Sequence, residues 1–521
     1  MKLFYIIKKE LNDNIKYIFF SLFISIYIFL PQIIYFTRYK RLVEVLVMLF
    51  LLFLLSKLSK YIFAVVASYL IITITIITHI GIHWGSKGII SRIEVALLSP
   101  PQETIEYLKS YIGLADFFLL VYVCIGFYFI YKLLKNYSNK LKIVRIIAFI
   151  FFVSSTLTVA TFYKNPFTKI LPLNLVYSYE EALKWKTLVK EREKYIKTIN
   201  TKNKLQTLTK NIFQYNKVII VIGESANKNH MGVYGYNIDT TPFLSHVIKK
   251  ENWFKFNVIA PANQTRYAVP LALTNATVKD FHRFVHSESL VSVFKTYKYK
   301  TYWISNQAKV GKHETYISSI ANESDIEIIK NPDWLTAKIQ TDKNILDILK
   351  TIKSNKNKEM YMIHLLGSHH HYKDRYPDEE HVLMQNSKNI INEYDNSIYY
   401  TDYIIQKIFN KFKDEKLLLI YFSDHSELIS LNKHGHGFLP PYKDEFEIPL
   451  IIYSSLQNKN LQDISLVNKN KIINTESFNH LVMYIMGIEQ NNTNISFQKD
   501  IFSLDPKNIF DFDKLQRYQN N

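Results

Sequence analysis

The chain is 521 residues long, 48% hydrophobic, and carries a formal net charge of +19. Its length allows two or three domains. A single cysteine, Cys124, excludes a disulfide framework and a cysteine-ligated metal, and the positive charge, with no nucleic-acid motif beside it, fits an anionic membrane surface and not a nucleic acid.

Apolar stretches occupy the first third, at 18–36, 42–58, 61–82, 112–133 and 144–162. Each is long enough, or nearly so, to cross about 30 Å of hydrocarbon as a helix. One such run could be a cleaved signal; five in succession are a membrane domain. Basic residues set its orientation. Lys2, Lys8, Lys9, Lys16, Lys57, Lys60, Lys132, Lys135, Lys140, Lys142 and Arg145 fall on one side, against Arg38, Lys40, Arg41, Lys87, Arg92 and Lys109 on the other. The larger group marks the cytoplasmic side, so the N-terminus is expected inside and everything after Phe162 outside. The loop 83–111 contains Trp84, Pro100, Pro101, Glu103 and Glu106. It falls at the outer face, where it either meets a lipid head group or simply connects two spans.

The expected domains are a membrane part at 1–163, a bridge at 164–215 and a water-soluble part at 216–521. Within the bridge, 179–201 reads as a charged helix. Its Glu180, Glu181, Lys184, Lys190, Glu191, Arg192 and Lys194 are read as a solvated face. Beyond Lys217 short apolar runs predict buried strands at 218–222, 301–304, 360–366, 417–422 and 449–453. Helical stretches such as 388–412 separate them, which predicts an α/β sandwich around a mainly parallel sheet. The tail from Gln490 is Asn-rich and expected to be irregular.

In such sheets the active site gathers at the carboxyl ends of the strands. Three predicted strands end in polar residues: Gly223-Glu224-Ser225, Gly367-Ser368-His369-His370-His371, and Ser423-Asp424-His425. Glu224, Asp424 and His425 together suit a zinc ion with an open fourth position, and manganese would suit the carboxylates too. Singly, each has a structural alternative as a helix cap or loop ion pair. Thr265 precedes the apolar run 267–274, which reads as a helix interrupted by Pro270. A hydroxyl there is either a nucleophile, assisted by helix N–H groups and a metal, or an N-cap. His369 and His436 are candidates for balancing a phosphate's charge or protonating a leaving group. His370, His371 and His434 are read either way.

The stretch VIIVIGESANKNHMGVYGYNIDTTPFL from Val218, followed by IHLLGSHHHYKDRYP, EYDNSIYYTD and FSDHSEL in that order, resembles the phosphoethanolamine transferase family. That family belongs to the alkaline phosphatase and sulfatase superfamily. The resemblance implies a bacterial inner-membrane enzyme with a five-helix anchor and a periplasmic domain of that fold. It implies a zinc enzyme, with one ion tightly bound and a second accommodated, and with manganese the lesser alternative. Phosphoethanolamine would pass from phosphatidylethanolamine to lipid A or the lipopolysaccharide core through a phosphothreonine intermediate, in a monomer. Carried over, Glu224, Asp424 and His425 match zinc ligands, and Thr265 matches the nucleophile that itself approaches the zinc. His369 and His436 match residues serving the phosphate or a second zinc; Glu103, Lys312 and His434 are candidates for substrate binding. The chain departs from the pattern in having no disulfides, in Gln264 before the threonine, in Ser426-Glu427 where Gly is usual, and in Ser99 where Thr is common. Trp303-Ile304-Ser305-Asn306-Gln307 resembles the branch acting on core sugars. The alternatives are a phosphoglycerol transferase of the lipoteichoic-acid-synthase type and an inactive membrane sensor.

Overall fold

A computed structural model describes residues 2–35, 39–84, 112–136, 146–151, 153, 183–184, 187–198, 215–307, 316–330, 341–353, 357–377, 382–385, 389–438, 440–488 and 515–518. They fall into two compact units, the first drawn from residues up to 184 and the second chiefly from 185 onward.

The first unit is helical: α1 (Lys2–Asp13), α2 (Ile15–Tyr35), α3 (Tyr39–Leu58), α4 (Lys60–Trp84) and α5 (Leu114–Asn136). Helices α2 to α5 follow the first four predicted spans. Positions 146–151 and 153 are helical, and the rest of the fifth predicted span lies outside the described residues. By length and composition alone α4 and α5 can cross a membrane, and a third span results if α1 and α2, bent by 70°, count as one. The expected five spans are therefore met in part.

Ile24, Ile28, Phe63, Ala67, Ile71, Ile74 and Leu133 form the unit's interior. On α5, Gly126 allows close approach: a Cβ there would stand 2.7 Å from Ile71 Cδ1 and 3.2 Å from Tyr27 Cε1. The outer surface stays apolar, with Phe19, Phe23, Val65, Phe117, Phe118 and Leu120 exposed. Water disfavours so large an apolar surface, whereas hydrocarbon does not.

The second unit is built on an eight-stranded sheet. Its strands are β1 (Lys217–Gly223), β2 (Trp253–Ile259), β3 (Lys300–Ser305), β4 (Ile326–Ile329), β5 (Glu359–His364), β6 (Leu417–Ser423), β9 (Pro449–Ser454) and β10 (Ile473–Asn474), with a separate hairpin of β7 (Leu428–Ile429) and β8 (His434–Gly435). The order is β10-β2-β9-β6-β1-β5-β3-β4. Both pairings of β9 are antiparallel and the other pairings in the sheet are parallel.

Alternation divides each central strand between two cores. Val218, Ile220 and Ile222 face one side with Met360, Met362, Leu418 and Ile420. Ile219 and Val221 face the other with Tyr361, Ile363, Leu419 and Tyr421. Burial on both faces explains why these strands are unbroken apolar runs. Around the sheet lie α6 (Thr265–Leu273), α7 (Leu290–Thr296), α8 (Ile390–Phe412) and α9 (Phe478–Met486).

Two expectations change. The strand predicted over 360–366 ends at His364; Leu365 still donates its N–H to Ile222 O along the ladder, and the chain turns away at Gly367, where φ is 53°. The charged helix, described over 187–198, is not solvated at every charge. Arg192 is fully buried, donating to the Phe284 and Ser287 carbonyls and pairing with Glu323 at 2.7 Å. A guanidinium whose terminal nitrogens find such partners can lie inside.

Candidate metal centre

Adjacent β1, β5 and β6 end side by side, so the residues that follow them converge. Glu224 follows β1, and Asp424 and His425 follow β6. The turn after Glu224 is held in an unfavourable backbone form, with Ser225 at φ 59°. Tyr394 on α8 pins it, donating its hydroxyl to Ser225 O at 2.7 Å while accepting Asn227 N–H at 2.8 Å. The loop after β5 presses on the same point. Gly367 has φ 53°, and a Cβ there would lie 2.7 Å from Glu224 O. Asp342, at the start of the helix Lys343–Thr351, accepts the Leu366 and Gly367 N–H groups at 2.9 Å each.

Thr265 is the first residue of α6, and Gln264 is the N-cap, with no side-chain capping bond. The capping alternative for Thr265 is thereby set aside. Its hydroxyl donates to Glu224 Oε2 at 3.1 Å and lies 3.1 Å from His425 Nε2. His425 Nε2 is 3.3 Å from Glu224 Oε1 and 3.5 Å from Asp424 Oδ2. Its other nitrogen, Nδ1, points at Ser426 O at 3.1 Å. A proton on Nδ1 for that bond leaves the Nε2 lone pair facing the carboxylates, the arrangement of a ligating imidazole.

Electrostatics point the same way. Burial pushes Asp424 up to about 7, with the Glu224 charge adding to it. Burial opposes charge on His425, but Asp424 and Glu224 outweigh it and lift the imidazole to about 10. Burial also opposes ionisation of Glu224, yet His425, then His369 and His436, hold that carboxyl well below its ordinary value. The carboxylates thus demand positive charge in their midst. Asp424 Oδ2 is buried and accepts no hydrogen bond. Glu224, Asp424 and His425 each offer a ligand atom within 4.8 Å of the others, and among the described residues no other group of three or more does so. Two carboxylates, one imidazole and an adjacent hydroxyl fit a divalent cation such as zinc.

The remaining histidines divide. The His436 ring lies 4.2 Å from His425 and 6.0 Å from His369. His434 faces His370 at 5.4 Å and Tyr372 at 6.3 Å instead, so the structure brings His436 and not His434 beside the cluster. His371 packs on His370 at 5.1 Å. Glu103, Ser99 and Lys312 lie outside the described residues. Sequence reasoning missed Gln307, whose Nε2 donates to Glu224 Oε2 at 3.2 Å. Gln307 follows β3, and the strand-end rule applied to that strand too would have found it. Ser225, already among the strand-end residues, donates to Glu224 Oε1 at 2.7 Å, while Glu427, which no strand-end rule marks, was missed.

Fold and cluster define an α/β domain carrying a metal-capable site at the ends of its parallel strands. The chain belongs to the sulfatase family, whose model matches residues 216–488. It is 28% identical over 326 residues to phosphoethanolamine transferase EptC of Escherichia coli (strain RS218), covering 57% of this chain and 56% of that protein. It is 27% identical over 390 residues to phosphoethanolamine transferase EptA of Helicobacter pylori, covering 69% of this chain and 71% of that one. The match to EptC therefore spans little more than half of that relative's length. Among solved structures, the integral membrane lipooligosaccharide phosphoethanolamine transferase A (EptA) of Neisseria meningitidis superposes with a TM-score of 0.58 at 15% identity, covering 90% of this chain and 95% of that chain. That last likeness is one of fold.

Proposed function

We propose that this protein is a zinc-dependent phosphoethanolamine transferase of the bacterial inner membrane. In this reading it has five spans, a cytoplasmic N-terminus and a periplasmic catalytic domain from about residue 216. Phosphatidylethanolamine is the donor, and lipid A or the lipopolysaccharide core is the acceptor. The observation that carries the proposal is the Thr265 hydroxyl, set 3.1 Å from both Glu224 Oε2 and His425 Nε2 inside a buried cation-demanding cluster. Transferase relatives that match the sequence support the group transferred.

Glu224, Asp424, His425 and the Thr265 oxygen would hold the ion. Bound there, zinc lowers the pKa of the hydroxyl and offsets charge on the phosphoryl oxygens. Thr265 Oγ attacks phosphorus, forming a P–Oγ bond as the bond to the diacylglycerol oxygen breaks. Its proton is lost to water, since Glu224 is held well below its ordinary value and would be a ligand of the ion, and His436 gives a proton to the departing diacylglycerol. Next, an acceptor hydroxyl attacks the phosphothreonine diester and loses its proton to His436. Thr265 Oγ leaves and regains a proton from water. Gln307 keeps Glu224 aligned by its donated hydrogen bond.

Full-length protein is placed in vesicles containing phosphatidylethanolamine, with phosphatidylglycerol in a parallel set, and released diacylglycerol is measured. Release from phosphatidylethanolamine alone, lost in Thr265→Ala, is expected. Release from phosphatidylglycerol instead would make the protein a phosphoglycerol transferase. Undiminished release by the variant would remove Thr265 as nucleophile.

A further inference from the structure

The short hairpin places Glu427 opposite His436. Its register pairs Leu428 with Gly435 and Ile429 with His434. One step further along the same antiparallel register brings 427 against 436, and alternation puts both side chains on one face. The result is a bond of 2.8 Å between Glu427 Oε1 and His436 Nδ1. The other carboxylate oxygen, Oε2, accepts the Tyr372 hydroxyl. Glu427 and Tyr372 are both fully buried, whereas the His436 side chain keeps 23% of its surface exposed. Tyr372 is itself held edge-on against Tyr394 at 5.0 Å, the residue that pins the turn after Glu224.

The geometry points to Glu427 as the positioning residue for His436, with Tyr372 fixing Glu427 in turn. This rests on the function proposed above. A carboxylate taking the Nδ1 proton's hydrogen bond selects one tautomer and one ring orientation. Nε2, on the opposite side of the ring, is then the nitrogen left for proton exchange at the reacting oxygen. Without Glu427 the ring can turn and present either nitrogen, so the proton transfer loses its fixed partner. Tyr372 occupies the second oxygen, so Glu427 cannot rotate away from His436 without leaving that hydroxyl unpaired in the interior.

The test uses full-length protein in phosphatidylethanolamine vesicles, with the metal content of each variant measured alongside. Glu427→Ala is expected to lose about a hundredfold in kcat, with KM within about threefold and metal content unchanged. Glu427→Gln, which keeps an oxygen acceptor in place, is expected to recover to within about tenfold of the parent. Tyr372→Phe, which preserves the ring, serves as the milder variant and is expected to lose several-fold. Because Glu427 acts through His436, the double variant Glu427→Ala/His436→Gln should be no slower than His436→Gln alone. Singles whose losses multiply in the double, a Glu427→Ala kcat within twofold of the parent, or loss of bound metal matching the loss of activity would each overturn the assignment. Bis(p-nitrophenyl) phosphate is run in parallel. A parent chain that cleaves this diester but not phosphatidylethanolamine would refute the donor and leave Glu427 to be judged on the diester. A parent inert to both would remove both proposals, since His436 would have no reaction to serve.

Discussion

Asp424 is the residue on which a cation has the greatest leverage. Its Oδ1 accepts His425 N–H at 2.7 Å and Ser225 N–H at 3.3 Å, while Oδ2 accepts none. Burial and the neighbouring Glu224 charge both oppose its ionisation. A bound divalent ion reverses that balance and stabilises the folded state by mass action. Chelation is therefore expected to lower the Tm of the parent protein. In Asp424→Asn the site has lost a charge and a ligand, so bound zinc should fall by at least about tenfold and the chelator should barely move Tm. Calorimetry with metal analysis checks both; an equal chelator effect in parent and variant would show that the ion binds elsewhere. Glu224, Asp424 and His425 were legible because each directly follows a recognisable apolar strand. Gln307 was reachable by the same rule applied to β3, but Asp342 was not, since only folding brings position 342 against the Leu366–Gly367 backbone.

Among the elements, the 187–198 helix shows how a charge pattern can mislead. Its sequence reads as solvated, yet Arg192 is buried against Phe284, 4.4 Å from the ring centroid, and paired with Glu323. Glu323 also accepts the Ser289 and Ser292 hydroxyls. Nothing in local spacing separates Arg192 from Lys190 or Lys194; the partner lies 131 residues away. Arg192→Met leaves Glu323 buried with no cation, so a loss of about 3–5 kcal/mol is expected. Arg192→Met/Glu323→Gln should recover part of it. Denaturant unfolding measures both, and a double variant less stable than the single would mean that packing, not charge, is lost. Strand β2 escaped prediction for a different reason. Lys255 and Asn257 are exposed while Trp253, Phe256 and Val258 are buried, so its seven residues form no continuous apolar run. Strands buried on both faces announce themselves; half-exposed ones need the neighbouring strand to be known.

At the scale of the whole molecule, composition divides the chain, and the distribution of basic residues is the basis of the proposed orientation. The first unit keeps large apolar side chains on its outside, whereas the second encloses its apolar side chains on both faces of a sheet. With Cys124 replaced by Ser, a single reporter cysteine tests the proposed orientation. Lys469→Cys, at an exposed position of the second unit, should react with a membrane-impermeant maleimide in intact spheroplasts. Lys8→Cys, exposed on α1, should react only after permeabilisation. The opposite pattern would invert the topology.

The sequence by itself determined the two-part organisation, the central parallel strands, and the metal-capable residues at strand ends. These follow from local properties: run length, alternation, and the polar residue that ends each apolar run. Tertiary structure alone decided that His436 and not His434 stands beside the cluster, that Thr265 is free of capping, and that Glu427, Tyr372 and Arg192 have buried partners. Those outcomes depend on hairpin register and on contacts between residues distant in the chain, which no local pattern encodes.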